Sequence, residues 1–394
     1  MKTYNSILSE YGTTIFTVMS ALAAEHGAIN LGQGFPDRDG PEDIRRVAAE
    51  QSIDGPNQYP PMMGIPALRQ AVAAHNKRFY DLDVDWRSQV MVTSGATEAL
   101  AACLFGLIEP GDEAVLIEPT YDCYLPILRR AGGTPKLVRV APPDWKLPLD
   151  DLAAAFSHKT KLILLNSPMN PASKVFSADE LAFIAGLLEK HDAYAICDEV
   201  YEHMVYDGRR HIPLMTLPGM SERCLRIGSA GKTFSMTGWK VGYTTGPELL
   251  IGAAAKAHQF LTFTTAPNLQ AAVAYGLGKD DAYFDALGAE MEAKRDRLAD
   301  GLAAIGFDIM PSEGTYFLTA DFQAIANRSG FNGDDAAFCK HITTEAGVAA
   351  VPFSAFYQGG AESGVNHFIR FCYCKEDALL DAAVAKLSEF FGTI

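Results

Sequence analysis

Four places in this 394-residue chain set reactive residue types just after a β-rich run. After Val90–Thr93 comes Ser94-Gly95-Ala96-Thr97-Glu98. A glycine there lets backbone approach a ligand. A helix starting at Ala96 or Thr97 would offer free N–H groups and its dipole to a phosphate. An ordinary capped helix reads the same way. After Leu162–Leu165 comes Asn166-Ser-Pro-Met-Asn170-Pro171. Two prolines stiffen that turn, and two amides can each donate and accept, although Asn-Pro pairs are also common turn formers. After Tyr194–Cys197 come Asp198, Glu199, Val200 and Tyr201. An acid ending a buried apolar strand is costly unless a cation faces it. Asp198 is therefore aimed at a ligand cation or is solvated in a loop. After Cys224–Ile227 comes Gly228-Ser229-Ala-Gly231-Lys232-Thr233, with one lysine placed where a strand ends.

Several simpler chemistries fail on spacing. Gly231-Lys232-Thr233 ends like a P-loop, but that loop needs a glycine five residues before Gly231, where Arg226 stands. Glu199-x-x-Glu202-His203 lacks the leading histidine of an inverted zinc motif. Gly32-Gln-Gly34 lacks the third glycine of a dinucleotide fingerprint, because position 37 is Asp37. Cys372 and Cys374 share a strand face, but no second pair completes a zinc site, and buried thiols are the simpler reading. No metal is expected.

The elements that must position these residues follow from hydrophobic patterning. Val90–Thr93, Ala114–Glu118, Lys136–Val140, Leu162–Leu165, Tyr194–Cys197 and Cys224–Ile227 read as buried strands. Thr97–Leu107, Tyr124–Ala131 and Ala178–Lys190 read as the helices between them. Repeated strand–helix order implies an α/β fold, with a mainly parallel sheet and helices on both faces. Ligands in such sheets bind where strands end. The tail differs. A long helix over Tyr283–Ile305, runs at Thr315–Ala320 and Phe368–Cys372, and helices near Asp334–Glu345 and Lys375–Phe391 suggest a smaller α+β domain. The expected division is residues 1–44 packing with the small domain, 45–282 as the large domain and 283–394 as the small one.

Composition limits the partners. The chain carries 33 Lys+Arg against 48 Asp+Glu, for a net charge of −15. That acidity argues against nucleic acid and anionic membranes. The longest apolar run, Ala99–Ile108, falls short of the roughly 20 residues a membrane helix needs. Seven scattered cysteines and no signal-peptide pattern at the N-terminus favour a reducing, cytoplasmic setting.

A phosphate cradle, a lone lysine after a strand, a buried acid followed by a tyrosine, and an asparagine turn are parts that pyridoxal phosphate chemistry requires. In order and spacing the chain resembles the class I/II aminotransferases of fold type I, over nearly its whole length. The motifs carrying the resemblance are Gly32-Gln-Gly-Phe-Pro-Asp37, Asn57-Gln-Tyr-Pro60, Gly95-Ala-Thr-Glu98, Asn166–Pro171 and Asp198-Glu-Val-Tyr201. Ser229-Ala-Gly-Lys232, Gly238-Trp-Lys-Val-Gly242 and Ile369-Arg-Phe371 complete the set. Glu118-Pro-Thr-Tyr-Asp-Cys-Tyr124 and His258–Phe263 look most like the kynurenine/glutamine/methionine aminotransferase branch and its N-succinyldiaminopimelate relatives.

The resemblance implies pyridoxal 5'-phosphate as cofactor. It makes Lys232 the Schiff-base and proton-moving lysine, and Asp198 the partner of the ring nitrogen. Tyr201 and Asn170 would bond the phenolic oxygen, with Asn166 in support, and Tyr121 would stack on the ring. The Gly95, Ala96 and Thr97 amides, Ser229 and Lys240 would take the phosphate. Arg370 would grip the substrate α-carboxylate, with the Gly34 backbone beside it. Phe16 and Phe263 would line the side-chain pocket. Tyr59 would reach the cofactor phosphate of a second subunit, giving a homodimer with shared sites. Where relatives continue Asn-Pro with Thr-Gly, this chain has Ala172-Ser173.

The expected activity is ping-pong transfer of an amino group from an L-amino acid (methionine, glutamine, aromatic or kynurenine-like) to a 2-oxo acid. Two alternatives share the scaffold: an N-succinyldiaminopimelate aminotransferase, whose distal carboxylate would look to Arg38, and a cysteine-S-conjugate β-lyase. A non-catalytic regulator on this fold would usually add a basic DNA-binding segment, and the chain shows none.

Overall fold

The computed structural model describes residues 4–392. Its strands are β1 (Ile29–Asn30), β2 (Val90–Thr93), β3 (Glu113–Glu118), β4 (Thr134–Arg139), β5 (Thr160–Asn166), β6 (Tyr194–Asp198) and β7 (Cys224–Ser229). They continue with β8 (Gly242–Thr245), β9 (Asp308–Ile309), β10 (Phe317–Asp321), β11 (Val348–Ala349), β12 (Val351–Pro352) and β13 (Phe368–Cys372). The central sheet runs β2-β8-β7-β6-β5-β3-β4. β7, β6, β5, β3 and β4 pair in parallel, whereas β8 is antiparallel to both β2 and β7.

Side chains alternate across this sheet with the strand period of two. Ala114, Leu116, Leu162, Leu164 and Ile196 enter one apolar core, with the helices Ala96–Leu107 and Glu248–Leu261. Val115, Ile117, Ile163, Leu165, Ala195 and Cys197 enter another, with Ala178–His191. Helices therefore cover both faces, as the strand–helix order implies. Ser177 caps the helix Ala178–His191 by accepting from the Glu180 N–H, and Glu180 returns the bond in a capping box. β8 and the helices Glu42–Asp54, Pro66–Tyr80, Glu248–Leu261 and Pro267–Leu277 add to the elements the sequence pattern had suggested.

The C-terminal sheet, β12-β13-β10-β9, is wholly antiparallel. Leu298 and Leu302 of the helix Asp281–Ile305, and Leu380 and Leu387 of Asp377–Phe391, pack with Leu318 and Phe371 of that sheet. The N-terminal stretch joins this unit. β1 pairs in parallel with β11, and the Cys372 N–H donates to the Leu31 carbonyl at 2.7 Å.

Arg226 of β7, which broke the P-loop pattern, centres a buried ion network. It donates to Glu199 at 2.5 Å, to Glu202, and to Asn76 at 2.8 Å. Beside it the Nε2 atoms of His75 and His203 lie 2.8 Å apart, packed among Phe79 and Phe284. Burial is the main force pushing both imidazoles down, His75 to about 3 and His203 to about 4. In the unfolded chain each binds a proton near pH 6.5. Below that pH the unfolded state takes up protons that the folded state refuses, so stability falls with acid. Going from pH 7 to 5 should remove about 2 kcal/mol through His75 alone. Urea unfolding at the two pH values tests this. His75→Phe should flatten the slope, and an unchanged slope in that variant would refute the assignment.

Candidate functional site

A cavity of about 400 Å3 opens where β5, β6 and β7 end. Gly95, Ala96, Thr97, Tyr121, Asn166, Asn170, Asp198, Tyr201, Ser229, Lys232, Lys240, Gly34, Phe16 and Arg370 all line it. Fourteen positions drawn from segments far apart in sequence thus meet at one place.

Gly95 opens the helix Ala96–Leu107 with φ +81°, a conformation that favours glycine. A Cβ there would sit 3.4 Å from the Lys240 Nζ. Behind it, a Cβ on Gly242 would lie 2.7 Å from the Gly95 carbonyl carbon, so β8 approaches this turn as only glycine allows. The result is a concave row of helix-terminal N–H groups with a cation beside it, which suits a phosphate.

Asp198 ends β6 and is buried, which removes the solvated-loop alternative. Its Oδ2 accepts from the Tyr124 hydroxyl at 2.6 Å, while its Oδ1 is buried with no hydrogen-bond partner. Burial is the leading cause that raises its pKa. Asn166 ends β5. It donates from Nδ2 to the Asp198 carbonyl at 2.8 Å and accepts the Asn170 N–H at 2.7 Å. Glu199 takes no part, because Arg226 and His211 hold it.

Lys232 lies in the single turn Ala230–Thr233 that follows β7. Its amine donates to the Tyr316 hydroxyl at 2.8 Å. Burial lowers its pKa and Arg370 adds to that, against the opposing pull of Asp198. Tyr201 stands edge-on to Tyr316, with ring centroids 5.1 Å apart.

Arg370 comes from β13 and is buried. It donates to Asn170 Oδ1 at 2.9 Å and to the Gly32 carbonyl at 3.0 Å, and its guanidinium lies 3.9 Å from the Phe317 ring centroid. Its Nε is buried without a partner. A substrate carboxylate meeting this group would find a fork already oriented.

The Ala172-Ser173 departure has a structural answer. Ser173 has φ +58°, where a glycine would be at ease. Its hydroxyl lies 2.7 Å from the Phe317 carbonyl and 2.9 Å from Thr315 Oγ1, which itself has φ +71°. Side-chain bonds thus hold the Asn170 loop against β10.

Two expectations need correction. Phe263 does not line this chain's cavity: it turns outward at φ +65° after the helix Glu248–Leu261, 40 % exposed. Tyr59, expected at a second subunit's site, is 84 % exposed, packs edge-on against Phe263 at 5.7 Å and lies off this chain's own cavity. Arg38 is no free cation for a distal carboxylate, since it pairs with Glu376 at 2.6 Å and Glu290 at 2.9 Å, away from the cavity. Sequence reasoning also passed over Tyr124 and Tyr316. Tyr124 stands three positions after Tyr121, where a helix begins, and that proximity could have flagged it. Tyr316 had no such signal.

The fit to the expected cofactor is good. Asp198 Oδ1 lacks a donor, which a protonated ring nitrogen would supply, and the Gly95 turn leaves room that any Cβ would fill. The profile of the family "Aminotransferase class I and II" matches residues 26–387. A probable N-succinyldiaminopimelate aminotransferase of Mycobacterium tuberculosis is 44 % identical, with 97 % of each chain covered. The methionine aminotransferase of Escherichia coli is 40 % identical, covering 98 % of this chain and 97 % of its own. The structure of the Mycobacterium tuberculosis N-succinyldiaminopimelate aminotransferase superposes with a TM-score of 0.94, at 44 % identity over 98 % of this chain and 100 % of that one. A kynurenine–oxoglutarate transaminase of Mus musculus is 39 % identical over 94 % of this chain and 86 % of its own length. On cavity, fold and sequence together, this chain belongs to the class I and II aminotransferases, enzymes that transfer amino groups.

Proposed function

We propose that this aminotransferase uses pyridoxal 5'-phosphate and moves the amino group of neutral or aromatic L-amino acids to 2-oxo acids by a ping-pong route. The observation that carries the cofactor reading is Asp198 Oδ1, a buried acceptor without a donor on the cavity wall. When bound, the cofactor supplies an aldehyde that exchanges amines and a ring that withdraws electrons from the substrate Cα.

The chain's residues do the rest. The Gly95, Ala96 and Thr97 amides, Ser229 and Lys240 would hold the phosphate. Asp198 would pair with the ring nitrogen, and Tyr124 orients that carboxylate through its 2.6 Å bond. Tyr201 and Asn170 would bond the phenolic oxygen, and Tyr121 would pack against the ring. Lys232, whose pKa burial lowers, would be the amine that carries the cofactor and, once free, the group placed to take a proton from the substrate Cα and to return it. Arg370 and the Gly34 N–H orient the α-carboxylate.

Lys232, Lys240 and Arg370 are the only cations on the cavity wall among the described residues. The first two serve the cofactor and the third the α-carboxylate. Phe16, Tyr121 and Phe317 give the remaining wall an aromatic part, beside the uncharged Thr14 and Gln33 and the acidic Asp122. A distal carboxylate buried there unpaired would cost several kcal/mol. The test mixes the yellow holoenzyme with single amino acids and follows loss of its visible absorption band. Methionine, glutamine, phenylalanine or kynurenine should react at least about tenfold faster than aspartate. A second reading, N-succinyldiaminopimelate, is favoured by the 44 % identical relative. Preference for that substrate or for aspartate would overturn the pocket argument. Ammonia release from cysteine conjugates would identify β-elimination instead.

Tyr59 and Phe263 support a homodimer. Both are exposed, in mutual contact and off this chain's own cavity, as residues serving a second subunit's site would be. All seven cysteines are free, which agrees with a cytoplasmic setting.

A further inference from the structure

We propose that Tyr316 is a further catalytic residue. It holds the Lys232 amine, once displaced from the cofactor, by one of its protons and leaves the nitrogen lone pair free for the substrate α-proton. This rests on the reading of Lys232 as the proton-moving amine.

The hydrogen-bond directions carry the argument. Tyr316 has one hydroxyl proton, and it goes to the Gly34 carbonyl at 2.7 Å. With that proton committed, the oxygen can only accept from Lys232, whose Nζ lies 2.8 Å away. A neutral amine held in this way donates one N–H to Tyr316 and keeps its lone pair for another partner. Had the phenol donated to the amine, that lone pair would be occupied and the base blocked.

The hydroxyl is itself held in place. Tyr316 is 1 % exposed, and its ring stands edge-on to Tyr201 at 5.1 Å and Phe317 at 4.8 Å. The Gly34 carbonyl is fixed because Gly34 packs against Phe317, where a Cβ would come within 2.8 Å of the ring. Burial pushes the Tyr316 phenol well above its usual range, so it stays protonated while Lys232 works. In the proton transfer the C–H bond breaks, its electron pair stays on the substrate side and the proton goes to Nζ, which would later give a proton up and be neutral again, while Tyr316 gains and loses no proton.

The same loop serves the other end of the substrate. Arg370 donates to the Gly32 carbonyl, two residues before Gly34. The carboxylate anchor and the amine holder are therefore referenced to one short stretch of backbone.

The experiment uses Tyr316→Phe holoenzyme. In single-turnover mixing with methionine, or whichever amino acid reacts fastest, the saturating rate should fall about 10- to 100-fold. The apparent dissociation constant should change less than about twofold. The isotope effect with α-deuterated substrate should rise as proton transfer becomes limiting. A readout apart from turnover is competitive acetic anhydride labelling of the aminated enzyme, in which Lys232 is free. The Lys232 pKa should drop by about one unit when the acceptor that favours its charged form is removed. If Tyr316→Phe does not fold, 3,5-difluorotyrosine placed at position 316 keeps the ring and weakens the acceptor, and an intermediate loss is expected. A rate within twofold of wild type overturns the proposal. Borohydride fixation of the cofactor to a peptide lacking Lys232 would overturn the underlying reading instead, so the two failures are distinguishable.

Discussion

Lys232→Ala should reduce transamination by about 10⁴-fold or more while leaving a folded protein that still binds the cofactor phosphate. The asymmetry follows from what the side chain touches. Its amine makes one hydrogen bond, to Tyr316, and is held in a setting that disfavours its charge. Removing it deletes the attachment point and the base together but relieves a desolvated group, so the melting temperature should move by only a few degrees. The proposed phosphate contacts come from other elements on the cavity wall: the start of the helix Ala96–Leu107, Ser229 at the end of β7, and Lys240. Borohydride treatment of the wild type should fix the cofactor to the Lys232 peptide. Mixing Lys232→Ala with Tyr59→Ala, under conditions of proven subunit exchange, should recover activity, because each hybrid dimer would hold one intact site. No recovery would count against shared sites.

Asp198→Asn should lower the rate of α-proton removal by about 10³-fold with little change in substrate affinity. An amide cannot keep the ring nitrogen protonated, and the electron withdrawal is lost with that proton. Stability should move the other way. Burial raises the Asp198 pKa above the 3.8 of an ordinary aspartate. Between the two values the folded chain binds a proton that the unfolded chain has lost, so stability falls as pH rises through that window. Above it the cofactor-free enzyme carries a disfavoured buried charge. Cofactor-free Asp198→Asn should therefore melt at or above wild type at pH 7 to 8, with the gap closing toward pH 4. A variant that is both fully active and less stable would show Asp198 to be only a structural acid.

What could be read from the sequence follows the physics of each element. The central strands have near-continuous apolar runs, such as Val115–Ile117 and Leu162–Leu165, because helices bury both faces. β8 was invisible: it is four residues long, Gly242-Tyr-Thr-Thr245, with polar residues that tertiary packing alone buries. Asp198 and Asn166 were readable because they end strands, and Lys232 because it closely follows one, where α/β sheets place ligands. Arg370 and Tyr59 rested on resemblance, since no local pattern distinguishes them from surface residues. Tyr316 was missed because the role proposed for it depends on a partner 84 residues away. Arg38 looked available only because its partners, Glu290 and Glu376, are remote in sequence.

Ser173 bears on how such a site drifts over generations. In most positions a glycine in the left-handed region is a dead end for substitution, because any side chain adds about 1 kcal/mol or more of backbone strain. Here the incoming hydroxyl finds the Phe317 carbonyl and Thr315 Oγ1 within bonding distance, and two such bonds offset strain of that size. Serine and glycine thus become interchangeable alleles on either side of a nearly level ridge, whereas alanine would bear the strain without the bonds. The serine does, however, tie the Asn170 loop to β10 by side chain rather than by backbone alone. The tie couples two positions 142 residues apart, since losing the Thr315 hydroxyl would strip Ser173 of one of the two bonds that offset its strain.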